Sequence, residues 1–179
     1  MALEDDRKLL GTFNFVVSLR RSATAESGLA GTAADPAAGS SPGEALCDGG
    51  FQECSGLDIE MDVQELQEGG RNDGVIRRVG RGKYSNIVLK RGMFYAGGGN
   101  RVNTALWGWL QGILTGTRPV PRYDGIIQVL GADGATVMAT WTFSRGLPSK
   151  VSGPQLNAKS GDVAIEELHI AHEGLKLAI

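Results

Sequence analysis

The sequence predicts a mainly β fold: a β-barrel or sandwich with one flanking α-helix and a long protruding hairpin. Apolar and polar residues alternate over 12–20, 57–64 and 135–144, which is the two-residue period of half-buried strands. Clusters of Gly, Pro, Ser and Asn separate these runs, and only 104–114 carries apolar residues at helical spacing. Strands throughout with one helix imply a sheet closed or stacked on itself, with the helix on its flank.

The 179 residues are read as a single domain, 1–179, large enough to bury a substantial core. A hydrophobic fraction of 41% and a charged fraction of 21% are ordinary for a globular chain, and a formal net charge of -2 predicts no general affinity for nucleic acid. Cys47 and Cys54 are too few for a disulfide scaffold and lack zinc spacing, so a reduced, cytoplasmic history is expected. The opening MALEDDRKLLGTF lacks the basic and apolar regions of a secretory signal, and the longest apolar stretch falls short of the ~20 residues of a membrane helix. No stable membrane insertion by the chain itself is expected.

In the first strand, over 12–20, Phe13, Phe15, Val17 and Leu19 share a face. Residues 22–49 are rich in Ala, Gly and Ser, have no period, and read as a long inserted loop that is exposed or ordered by a partner. A long hairpin follows over 51–92, with Leu57, Ile59, Met61 and Val63 opposite Asp58, Glu60, Asp62 and Gln64. Its tip is rich in Gly and Arg, and its return arm runs over 84–91. Asn103 or Thr104 can cap the helix, whose stripe is Leu106, Trp107, Leu110, Ile113 and Leu114. Gly108, Gly112 and Gly116, four apart, suggest close packing on the sheet. A second hairpin joins 125–130 to 135–144, and residues 148–154, bounded by prolines, read as a connector. The final strand, 162–172, shifts phase at Glu166–Glu167, which predicts a bulge.

Charge is segregated within the long hairpin. Its first arm is acidic to Glu68, whereas Arg77, Arg78, Arg81 and Lys83 are basic. Two uses are open: pairing of the arms across the ladder, each pair contributing about 0.2–1 kcal/mol, or pairing between subunits. No catalytic, cofactor or metal site emerges. His169 and His172 lie three apart in a strand and face opposite ways, so they are poorly placed to share a metal and read as surface or rim residues. Glu166, Glu167 and Glu173 read as solvated, and Cys54 as a small core residue. Gly97–Gly98–Gly99–Asn100 offers a weak anion-loop signal without a Walker lysine.

The blocks FNFVVSL, FQECSGLDIEM, EGGRND with KYSNIVLKRG, LWGWL, and GPQLNAKSGDVAIEELHIAHEGLKL resemble, in order, the inner tube proteins of contractile phage tails and related contractile injection systems. The resemblance covers most of the chain outside 22–49. It implies a non-enzymatic structural subunit that assembles as homohexameric rings stacked into a rigid hollow tube, a conduit for DNA or protein effectors. Implied partners are the sheath, the baseplate and the tail terminator. Implied location is a phage tail or injection particle assembled in the bacterial cytoplasm. On that basis Leu57, Ile59, Met61 and Val63 are expected on the domain core, with Asp58, Glu60 and Asp62 facing the lumen. Glu65, Glu68, Arg77, Arg78, Arg81 and Lys83 are expected to make intersubunit contacts. Two other expectations are weighed: a type VI secretion-like ring that is released with cargo, and a soluble β-barrel module binding an anion at 97–100. The long insert and the Gly-rich segment 96–102 depart from the family pattern.

Overall fold

Alternation places ten strands and one helix in the computed structural model, which describes residues 9–23, 45–67, 69–70, 74–94, 102–159 and 161–178. They are β1 (Phe15–Arg21), β2 (Ala45–Gly49), β3 (Glu53–Ser55), β4 (Ile59–Leu66), β5 (Ile76–Tyr84), β6 (Ile87–Gly92), α1 (Ala105–Leu114), β7 (Tyr123–Leu130), β8 (Val137–Ser152), β9 (Ile165–Ala171) and β10 (Gly174–Ala178). The part of the expected insert that is described is not loop: β2 pairs antiparallel with β1, and the buried Ser22 hydroxyl donates to Asp124 at 2.6 Å. The rest of the insert, 24–44, and the glycine loop 97–100 lie outside the described residues.

The main sheet runs β2-β1-β7-β8-β9-β6-β3, with β10 on β8, while β4 and β5 form a separate two-stranded sheet. The sheet is therefore open, with β2 and β3 as its end strands, rather than closed as a barrel. The curvature comes from β8, which changes partner along its length. Residues up to Gly146 pair with β7 and β10, and Leu147–Ser152 pair with β9. Residues 148–152, expected as a connector, are thus strand. Pro148 is tolerated because the β8–β9 register shifts between Pro148 and Lys150, where the ladder is already interrupted. At the bend Arg145 adopts φ +54°, and a side chain on Gly146 would come within 2.8 Å of Ile170, Phe143 and the Tyr123 carbonyl.

Polar groups hold this corner. Asp124 Oδ1 accepts from the Arg145 amide at 2.8 Å, and the Glu173 carboxylate takes both Arg122 and Arg145 at 2.8 Å. Glu173 sits between β9 and β10, which follow one another along β8, so both ladders turn together.

The core is built from the inward faces of the bent sheet and one side of α1. Val17, Leu19, Ile87, Leu89, Ile127, Leu168 and Ile170 are essentially inaccessible to water, and Leu106 and Trp109 seal them. The helical face is rotated from the expected stripe. Trp109 is buried, donates to the Pro121 carbonyl at 2.9 Å and meets Tyr123 edge-on, whereas Leu114 is exposed. Gly108 has no neighbour where a Cβ would lie, so the spaced glycines do not serve close packing on the sheet. Of the two expected caps Asn103 serves, its Oδ1 accepting from the Ala105 amide at 3.0 Å, while the Thr104 side chain makes no cap bond.

There is no bulge at Glu166. β9 stays in register with β6 throughout, and Glu166 occupies an inward position between Ile165 and Leu168. Its cross-strand partner is Arg91. The two residues are 1% and 3% exposed, and Arg91 Nε donates to Glu166 Oε1 at 2.6 Å. Trp107 Nε1 donates to the other carboxylate oxygen at 3.0 Å, tying α1 to the pair. Replacing Arg91 by Met strands the carboxylate and is expected to cost about 3–5 kcal/mol in urea unfolding. Adding Glu166→Leu should recover part of that loss, because an apolar pair demands no desolvation of charge; equal losses for single and double variants would contradict this.

Candidate functional site

The β4–β5 hairpin shares no ladder with the body and is the protruding element, but its return arm is Ile76–Tyr84 and not the expected 84–91, most of which is β6 of the main sheet. Direct pairs run from Ile59↔Tyr84 through Met61↔Gly82 and Val63↔Val79 to Glu65↔Arg77 and Leu66↔Ile76. Gly80 and Arg81 together oppose Asp62, forming a bulge. A Cβ on Gly80 would lie 2.5 Å from the Asp62 carbonyl oxygen, so glycine lets the strands close there.

Alternation across this ladder gives two unlike faces. On one, Ile59, Met61, Val63 and Val79 are 62%, 53%, 60% and 76% exposed, and Tyr84 completes the strip. This corrects the expectation that Ile59, Met61 and Val63 pack on the domain core. Only Leu57, at the footing, packs there. The reason is topological: the strand leaves the sheet after β3, so no core of its own lies beneath it.

The other face carries Glu60, Asp62, Gln64, Arg78 and Lys83. Lys83 Nζ reaches Asp62 Oδ1 at 2.7 Å, and hydrogen bonding to that carboxylate, then its charge, raises the Lys83 pKa. Across the apolar face, Arg77 Nε meets Glu65 Oε1 at 3.3 Å. Two of the four basic residues therefore have partners in their own hairpin. Arg78 and Arg81 are exposed and form no ion pair among the described residues, and Asp58 and Glu60 are exposed. Glu68 lies outside the described residues.

The footing of the hairpin was not evident as a site in the sequence. β3 pairs with β6, with Lys90 held by Glu53 at 2.9 Å. Gly56, at φ +82°, crosses directly against the Asn86 backbone, and His172 meets Tyr84 ring to ring at 5.3 Å. His169 is engaged separately, by Glu167 at 2.5 Å, and that bond holds the Glu167 carboxyl below its usual range. Among the described residues no group of three His, Cys, Asp or Glu is placed to hold a metal ion, and no helix is long and apolar enough to cross a membrane.

A hairpin with one bare apolar face has the form of an assembling part. A sequence profile of the T4-like virus tail tube protein gp19 matches residues 11–176. The chain belongs to that tail tube family. It is a structural tube subunit, and the tail tube fold agrees with solved neighbours. A chain in the anti-feeding prophage baseplate is 20% identical with a TM-score of 0.71, covering 96% of this chain and 97% of that one. A chain in the sheath–tube complex of the extracellular contractile injection system PVC is 22% identical with a TM-score of 0.69, covering 98% and 93%. One in the anti-feeding prophage tube-terminating cap is 21% identical with a TM-score of 0.68, covering 99% of each chain. A search of curated proteins finds no significant match.

Burial, then the Glu53 charge, pushes the Cys54 thiol from 9.0 up to about 11. The smaller thiolate fraction, partly offset by the stronger nucleophilicity of a high-pKa thiolate, predicts that Cys54 of the tail tube subunit reacts with iodoacetamide at mildly alkaline pH more slowly than a free thiol, by roughly tenfold or more. Labelling followed by mass spectrometry checks it, and a rate near that of free cysteine would mean that the footing opens readily.

Proposed function

We propose that this chain forms hexameric rings that stack into the rigid inner tube of a contractile tail or injection particle, with the β4–β5 hairpin supplying contacts between copies. The carrying observation is the bare strip of Ile59, Met61, Val63 and Val79 on a subunit of the tail tube family. An isolated two-stranded hairpin is marginal in water, and an exposed apolar strip costs solubility. Both problems disappear when the strip is covered by another copy in a closed symmetric ring. The sheath, baseplate and terminator are the natural neighbours of such a tube, since the solved relatives come from a sheath–tube complex, a baseplate and a terminating cap.

With the strip covered, the opposite face of the hairpin, bearing Glu60 and Asp62 and flanked by Asp58, faces the lumen through which DNA or protein effectors pass. Lys83 offsets Asp62 there, so this wall is less negative than β4 alone suggests. Arg78 and Arg81, lacking ion partners among the described residues, reach acids on a neighbouring subunit or ring. Arg77, Glu65 and Lys83 take part with their own pairs intact, and Glu68 is proposed to join them. The tube is assembled in the bacterial cytoplasm and ends in a phage tail or injection particle.

Met61→Asp with Val79→Asp should leave circular dichroism unchanged and raise the concentration needed for tube growth by about tenfold or more. Arg77→Glu with Arg78→Glu should likewise block growth while the subunit stays folded. Negative-stain electron microscopy reads both. Tubes of normal length from the first double variant would remove the apolar strip from the interface, and from the second the basic pair; single rings without stacks from the unmodified protein would favour a released ring carrier.

A further inference from the structure

His172 stands at the fork where the hairpin leaves the body. Its Nε2 lies 3.0 Å from the Ser85 carbonyl oxygen, between β5 and β6, and its Nδ1 lies 3.1 Å from the Gly174 carbonyl oxygen at the start of β10. The ring also packs on Tyr84 of the hairpin at 5.3 Å and on Phe143 of β8 at 5.6 Å. One side chain thus joins the hairpin to the body through two bonds and two ring contacts.

Both polar partners are carbonyl oxygens, which only accept. A neutral imidazole has one N–H and one lone pair, so it can satisfy only one of them; the imidazolium donates to both. We infer that His172 is a proton-operated latch on the hairpin, closed when the ring is charged and half released when it is neutral. The charged groups around it leave this reading intact. Glu173, the next residue, is held by Arg122 and Arg145, and Lys83 of β5 is engaged by Asp62. Lys176 lies two residues beyond Gly174 on β10, and Asp58 contributes only its backbone carbonyl, to the Ser85 amide at 3.5 Å.

Only the charged ring donates to both carbonyls, so the latch holds in acid and loosens once the ring has lost its proton. Its effect on tube growth rests on the proposed role of the hairpin in assembly; the latch itself does not.

The chain has two histidines, so variants can assign the effect. Hydrogen exchange of the full-length subunit, corrected for intrinsic rates, is followed across residues 59–87 from about pH 5.5 to about pH 8, spanning the imidazole range. In the wild type and in His169→Gln, hairpin protection should fall by about fivefold, the factor expected for one hydrogen bond. In His172→Phe, which keeps a ring without donors, the step should vanish. A step that persists in His172→Phe, or its absence in the wild type, overturns the latch. If His172→Phe does not fold, long-range proton–nitrogen spectra of the wild type decide. The protection step must share its midpoint with the His172 titration, and separate midpoints overturn the proposal. Tube formation is not read, so this outcome is independent of the proposed assembly.

Discussion

Arg91 and Glu166 meet in the interior where β6, β9 and α1 converge, and the placement of each element answers to that meeting. Removing a guanidinium and a carboxylate from water costs several kcal/mol per ion before any attraction is counted. The structure offsets this by leaving few polar atoms idle. Glu166 receives Arg91 and Trp107, and Arg91 Nη2 also reaches Asn103 Oδ1 at 3.5 Å. Asn103 in turn caps the helix. A pair of leucines could fill the same space but would let the helix slide; directional bonds fix its height and rotation over the sheet. The outward-facing Leu114 and the inward Trp109 follow from that fixed rotation.

A subunit organised this way has a rigid body and an appendage of different character. The body closes its polar accounts at the β8 corner, where Asp124, Arg145, Arg122 and Glu173 bind one another. The hairpin does the reverse. It neutralises Asp62 and Glu65 within itself and leaves aliphatic side chains in water. Charge segregation along the chain, acidic then basic, therefore serves first to register the two arms. One face of the arms is then left bare and apolar.

Much of the architecture was legible because alternation is a local signal. β1, β7, the first half of β8 and the β4 arm all announce themselves through side chains that change face at each step. Three features resisted for physical reasons. Pro148 reads as a breaker, and only the register shift opposite it explains why a strand continues. Glu166 interrupts an apolar series, and without Arg91 opposite, a phase shift is the simpler account of a carboxylate there. Ile59, Met61 and Val63 show that one face of β4 is apolar without showing what covers it, because burial depends on where the strand goes. The Ser85–His172 joint brings together residues far apart in the chain, and no spacing reveals it.

The position of β9 in the sheet carries a consequence for how the subunit comes into being. It is the strand between β8 and β6, and so joins the half containing β1, β2 and β7 to the half containing β3 and β6. β6 has β3 on one side but must wait for its other neighbour, β9, more than seventy residues downstream across a helix and two strands. Pairings of such long separation form late and slowly. During synthesis the hairpin emerges early, but its footing is completed only after β9 has left the ribosome. A nascent chain thus carries its apolar strip on a footing that is not yet complete.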